Sequence, residues 1–216
     1  LTVFAGFAST YYLRFFAGGP KATISGGPFT ALVHVHGVLF TAWVLLFIVQ
    51  TALVASRRVA VHRRLGVVGA VLAAAMVVAG TSVAIATAAR GSAPPGVDPL
   101  AFLIIPIFDM ILFATFVTAA LARRRDKEAH KRLMLLALVG PLLPPGLTRV
   151  PWLSRHLDVA SAVWLLFVIA GPCFDLVTRR NLHKAWWWGA PCIAVTFPPL
   201  STWLAATRPG LALTEM

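Results

Sequence analysis

Charge is scarce in this chain. Only 12% of its 216 residues are Asp, Glu, Lys or Arg, while 59% are hydrophobic and the mean hydropathy is +0.83. Soluble domains carry about 25% charged and 45–50% apolar residues. A water-soluble fold of this length has too little interior to hide so much apolar surface, so its solvent must be lipid. Cysteine is nearly absent. Cys173 and Cys192 are the only two, both within apolar runs, which argues against a disulfide framework and a zinc ribbon. Missing too are a Walker loop, a nucleophile elbow and an HExxH helix, which removes the recognised nucleotide and hydrolase sites. The last apolar segment has no internal lysine, only Lys184 at its mouth, and this disfavours a retinal Schiff base. The opening run "LTVFAGFAST" lacks the basic start and the small-residue cleavage site of a secretory signal. It reads as structure, and Leu1 in place of Met implies residues before it.

A spanning helix needs about 20 mostly apolar residues. Seven segments answer that description, at about 1–17, 28–55, 65–89, 99–122, 132–150, 158–178 and 185–205. The expected fold is all-α: a polytopic transmembrane helical bundle of about seven spans, forming a single integral membrane domain over 1–216. Pro28 suits the first turn of the second span. The first span is short. The fifth is expected to break at "GPLLPPG" (Gly140 to Gly146), because prolines remove backbone donors and bend or end helices.

The basic residues set an orientation. "SRRVAVHRR", "RRRDKEAHKR" and "RRNLHK" hold thirteen of the nineteen Lys and Arg, and they follow spans two, four and six. The positive-inside rule then places the N-terminus in the cytoplasm and the C-terminus outside a bacterial inner (cytoplasmic) membrane. Trp186, Trp187 and Trp188 fall where a cytoplasmic aromatic belt belongs, and Trp152 and Trp203 where the outer one does. The net charge of +12 is thereby topology, and nucleic acid has no support as a partner. Each basic run carries a histidine (His62, His130, His183) after an arginine pair and before a new helix, so the spans group into hairpins two–three, four–five and six–seven.

Ionisable side chains inside spans are costly and point to function or to a buried partner. In "ALVHVHGVLF", His34 and His36 lie about 9–12 Å below the outer end of span two, and two residues apart they diverge by roughly 200°. They cannot share one ligand on an intact helix. His36 continues into Trp43 and Gln50 at seven-residue spacing beside Phe40 and Phe47, which marks the bundle-facing side. Asp109 in span four lies at a matching depth, so it is the expected partner that would orient the His36 imidazole. Gly37 would let a helix or a flat ligand approach. Arg149, after the broken span five, joins Tyr11, Tyr12, Arg14, His156 and Asp158 in a polar outer pocket, with Asp158 also explained as a helix N-cap. The expected ligand-binding residues are thus His36, His34, Asp109, Arg149 and His156, with no catalytic residue assigned and any metal ligands left unknown. Cys173, with Asp175 nearby, and Cys192 lie near the cytoplasmic end. They read as small buried apolar residues sooner than as a redox pair.

"LVHVHGVLFTAWVLLFIVQTALVASRRVAVHRRLG" and "AHKRLMLLALVG" resemble stretches of an uncharacterised family of bacterial multi-spanning membrane proteins, over roughly spans two to five. That resemblance implies no activity. A looser likeness is to four-helix haem-binding membrane proteins of the cytochrome b561 and ferric-reductase kind, which imply a b-type haem between paired histidines. Here such a pair would join His34 or His36 to His156, or else draw on His62, His130 and His183 at the cytoplasmic side.

These readings give a protein in contact with membrane lipids and with other membrane protein subunits. The first expectation is a non-catalytic accessory subunit of a respiratory or photosynthetic electron-transfer complex, for which small-residue faces such as "GVVGAVLAAAMVVAG" suit close helix packing. The alternatives are an autonomous membrane redox protein binding b-type haem, quinone or a pigment, and a small-solute transporter built around the proline-broken helix.

Overall fold

The computed structural model describes residues 2–14, 16, 21–94 and 97–195. Among these the regular structure is helical. The elements are α1 (Thr2–Phe7), which runs into a π-helical turn (Ala8–Tyr12), then α2 (Ala31–Ala55), α3 (Val59–Ala89), α4 (Pro99–Ala122), α5 (Lys127–Val139), α6 (Leu143–Leu147), α7 (Leu157–Arg179) and α8 (Lys184–Val195).

Four of these, α2, α3, α4 and α7, are long and apolar enough to cross a membrane. Among the described residues the expected seven is not reached. α1 has six residues, α5 has 13 and α8 has 12 within the described part, and a 13-residue helix is only about 20 Å long against a hydrocarbon core of about 30 Å. The remainder of the segment expected at 185–205, with Trp203, lies outside the described residues.

Local chemistry explains the helix starts. Thr30 accepts from the Val33 amide and caps α2, whereas Pro28 sits in an isolated bridge with Ala22 outside the helix. Asp98 accepts from the Leu100 and Ala101 amides, with Pro99 at the first helical position of α4; both features suit an N-terminus. Asp126 caps α5 in the same way. Asp158, by contrast, lies in the first turn of α7 and makes no cap bond; there its charge meets only the helix dipole.

The break in the fifth segment falls where the prolines and glycines put it. α5 stops at Val139, and the short α6 resumes at Leu143. The exposed ends are repaired from within the chain. The Trp164 indole on α7 donates to the Val139 carbonyl at 3.0 Å, and Thr148 and Arg149 donate to the Pro144 and Pro145 carbonyls at 3.1 and 2.7 Å.

Packing settles the topology. Arg179 at the end of α7 lies 2.7 Å from Glu128 at the start of α5, and α4 ends four residues before α5 begins. The chain from α5 to α7 must therefore leave this end of the bundle and return to it. α7 makes the return, and α5 with α6 makes the outward passage in two pieces. His62 near the start of α3 also meets His130 here. All three basic runs thus gather at one end, the basic end.

α4 and α5 supply the centre, where Phe113, Phe116, Leu133 and Leu136 are fully buried beside Met76 of α3 and Ile193 of α8. α3 turns Gly69, Ala73, Met76, Gly80, Ala84 and Ala88 inward and leaves Val67, Val71, Val78 and Ile85 exposed. The small face admits Leu46 of α2 and Met110 of α4 at close range, as small residues do between membrane helices. The small-residue face expected to suit close helix packing is used in this way inside the chain.

Candidate functional site

Two polar clusters stand out, one at each end of the bundle. The far cluster contains the residues singled out from the sequence. α2 carries His34 and His36 on different sides, as their spacing requires. The His34 ring lies 5.8 Å from Tyr11 and 6.1 Å from Phe29, and its Nδ1 is 3.4 Å from the Tyr11 hydroxyl. His34 is therefore engaged with the N-terminal segment. Tyr12 extends the same seam, with its hydroxyl 2.8 Å from that of Thr41. Gly37 does permit a close approach, but the group that uses it is Tyr11, whose ring fills the space a Cβ would take.

His36 is different. Its ring lies 4.0 Å from that of Phe40, one turn on, and its Nδ1 is buried without a hydrogen-bond partner among the described residues. The N-terminal segment links it to Arg149: Tyr11 packs against Gly37, the next residue, and Phe7, four residues before Tyr11, lies under the Arg149 guanidinium. The Arg149 guanidinium stands 4.5 Å above the Phe7 ring and donates to the Pro145 carbonyl, which leaves further N–H groups free to donate. The structure thus brings His36 and Arg149 into one neighbourhood.

The expected His36–Asp109 pair is not made. Asp109 is 8% exposed on α4, and among the described residues no hydrogen bond or ion pair reaches its carboxyl. Its neighbour Met110 packs with Phe40 against Gly80 of α3. His156 is also apart. It is exposed at the start of α7, stacked on Trp152 at 4.6 Å, with Nδ1 2.9 Å from the Trp152 carbonyl. Its engagement on its own loop, and that of His34 on Tyr11, leave no facing imidazoles at this end of the bundle for a bis-histidine haem. The expected pairing of His34 with His156 is therefore not made. A transporter site of unwound carbonyls fares no better, since the Val139, Pro144 and Pro145 carbonyls at the break are already bonded within the chain.

The second cluster, at the basic end, was not foreseen. Arg132 on α5 and Asp175 on α7 are each 3% exposed. Arg132 Nε and Nη2 donate to the two Asp175 oxygens at 2.6 and 2.5 Å. Its Nη1 donates to the Glu128 carbonyl at 2.7 Å and carboxylate at 2.6 Å. The Trp186 indole of α8 adds a 2.8 Å bond to Asp175, its ring lying against Gly171 where any Cβ would collide. Trp186 is therefore not part of an aromatic belt, while Trp187 and Trp188 are exposed. Glu128, in the first turn before the apolar part of α5, also pairs with Lys131 and Arg179. The Arg132 and Lys131 hydrogen bonds hold its carboxyl at about 2, well below the usual range.

A sequence signal for this cluster exists. On α5, Arg132 shares the buried face of Ala129, Leu133 and Leu136; on α7, Asp175 continues the buried Ala160, Trp164 and Val168. Opposite charges on two inward stripes predict one another. Counting Arg132 among the topogenic charges concealed it. The two cysteines form no disulfide, and Cys173 is exposed, not buried as expected, while Cys192 is half-buried.

Compared with protein-family models, curated proteins and solved structures, the chain matches none.

Proposed function

We propose that the protein is a membrane-embedded component of electron transfer that holds a quinone-type ligand between His36 and Arg149, in the half of the bundle away from the basic end. One observation carries this reading: a His36 Nδ1 buried without a partner among the described residues, next to the Gly37 that packs on the N-terminal segment holding Arg149 over Phe7. A buried polar atom left unpaired costs about 1–3 kcal/mol, and a bound acceptor would remove that cost. Quinone carbonyls accept from an imidazole N–H and from a guanidinium, whose charge and fixed fork suit such an oxygen. A quinone, when bound, supplies carriage of electrons and protons. The chain's own residues orient it and exclude water. The gathering of three basic runs at one end supports placing that end in the cytoplasm of a bacterial inner membrane, within the bacterial family that the sequence resembles.

Organic extraction of the protein purified in mild detergent tests the reading. We expect near-stoichiometric quinone from the wild type and from His34→Ala, and little from His36→Leu or Arg149→Leu variants that remain folded. A quinone-free wild type, or equal yields from all four, would refute it.

A non-catalytic accessory role in a respiratory or photosynthetic complex is the second reading, favoured by α2. Trp43 is its one buried residue, and Val35, Val38, Leu45 and Ile48 are exposed, a face that another subunit could cover. Gentle purification from native membranes distinguishes the two: recovery as a monomer without companions removes the accessory role.

A further inference from the structure

At the basic end, apart from the Arg132 network, the rings of His62 on α3 and His130 on α5 stand 6.4 Å apart at 85°. We propose that these two imidazoles form a binding site for a borderline first-row transition-metal ion, of the Zn²⁺ or Cu²⁺ class, at the basic end of the bundle.

The tautomers favour it. His130 Nδ1 lies 2.9 Å from the Ala120 carbonyl. A carbonyl can only accept, so Nδ1 carries the hydrogen and Nε2 keeps its lone pair. Metal-bound histidines are held in this way, with the other ring nitrogen donating to a carbonyl or carboxylate. His62 is fixed through its backbone, since Gln50 Nε2 donates to the His62 carbonyl at 3.3 Å. That bond also places the Gln50 amide against the His62 turn. Two buried atoms are left there without hydrogen-bond partners, His62 Nδ1 and Gln50 Oε1.

The spacing is close to what a shared ion needs. With metal–nitrogen bonds of about 2.0–2.1 Å, two imidazoles on one ion have centroids about 5 Å apart at a tetrahedral angle and about 6.4 Å when opposed. The observed separation is at the opposed limit, and a small side-chain rotation of the half-buried His62 closes it. Among the described residues no third histidine, cysteine or carboxylate completes a cluster, so Gln50 Oε1 and water supply the remaining positions.

The surrounding charge selects the class of ion. Arg58, Arg63, Arg64 and Arg123 to Arg125 are exposed nearby in sequence, and hard cations that depend on carboxylates are repelled without compensation. Imidazole nitrogen instead holds zinc or copper through partly covalent bonds, which follow donor type and the Irving–Williams order. Exposed arginines are screened by water and salt over about 8 Å.

The test uses full-length, tag-free protein in detergent, titrated with Cu²⁺ and read by electron paramagnetic resonance. One Cu²⁺ per chain with hyperfine coupling to two imidazole nitrogens is expected. His62→Gln and His130→Gln should each weaken binding by about tenfold or more and remove one nitrogen coupling. His36→Leu and His34→Ala should change neither, which separates this site from the quinone reading. Helicity and monodispersity of each variant confirm the fold. Copper bound equally well by both basic-end variants, or no coupling to nitrogen in the wild type, would overturn the assignment.

Discussion

Arg132 and Asp175, 43 residues apart in sequence, face each other through two parallel hydrogen bonds of 2.6 and 2.5 Å in a setting where each is 3% exposed. This bidentate pair ties the basic end of α5 to α7, and the Trp186 indole brings α8 to the same carboxylate. Apolar packing between helices gains little when the surrounding solvent is itself apolar. A buried, hydrogen-bonded ion pair therefore specifies which helices meet and in what register.

Removing one partner leaves the other charge buried and unpaired. Arg132→Ala and Asp175→Ala should each destabilise the bundle by about 3–5 kcal/mol. The double variant Arg132→Met with Asp175→Leu should lose much less, because both charges go together. Chemical unfolding in micelles measures this, and a double-variant loss as large as the sum of the two single losses would show that the pair carries no coupling.

The Trp186 contact separates into two parts. Trp186→Phe loses the bond to Asp175, a cost of about 1.5–3 kcal/mol for a hydrogen bond to a charged group, and also withdraws the outer indole ring from Gly171. Gly171→Ala keeps the bond's partners but drives a methyl into the ring, at about 1–3 kcal/mol for overpacking. Because both act at one contact, their combination should fall short of the sum. Strict additivity in thermal unfolding would show that the ring and the indole bond act independently.

Much of the fold is legible from composition and punctuation. The limits of α4 follow from Asp98 and Pro99 at one end and Arg123 to Arg125 at the other. The break after Val139 follows from "GPLLPPG". What could not be read was the use of each polar residue. His36 and Asp109 looked level by residue count, yet among the described residues no hydrogen bond joins them, and His36 Nδ1 is left without a partner. Apolar length also overstated the crossings, because a run of hydrophobic residues does not show where its helix stops. Tyr11 at Gly37 illustrates the remaining gap: a glycine announces a close approach, but not which group makes it.

At the break in the outward passage, Trp164 is expected to stabilise through its polar edge. Trp164→Phe preserves most of the buried ring and leaves the Val139 carbonyl without the 3.0 Å indole bond. An unsatisfied buried carbonyl costs about 1–3 kcal/mol. Amide exchange should quicken near Leu143 and Val139 before the rest of the chain, since the loss is local. Faster exchange spread evenly over all helices would show that Trp164 supports the whole core and not the break.

Acid should loosen the basic end through Glu128. Its carboxyl, hydrogen-bonded by Arg132 and Lys131, titrates at about 2 in the folded chain against an ordinary value of 4.5. The folded value is depressed, so the unfolded chain takes up protons first as pH falls. Glu128 thus contributes its full stabilisation above about pH 4.5, and that contribution is lost as pH falls towards about 2. Its side chain is 38% exposed, so water screens the pairs and the effect is modest. Asp126, whose carboxyl is lowered by the Ala129 and Glu128 amides, titrates in the same sense and adds to the wild-type slope. The useful quantity is therefore the difference between wild type and Glu128→Gln across pH. The variant should be less stable at pH 7, and the gap should close as pH falls from about 4.5 to 2. A gap that stays constant down to pH 2 would mean that Glu128 acts through packing, and not through its charge on Arg132, Lys131 and Arg179.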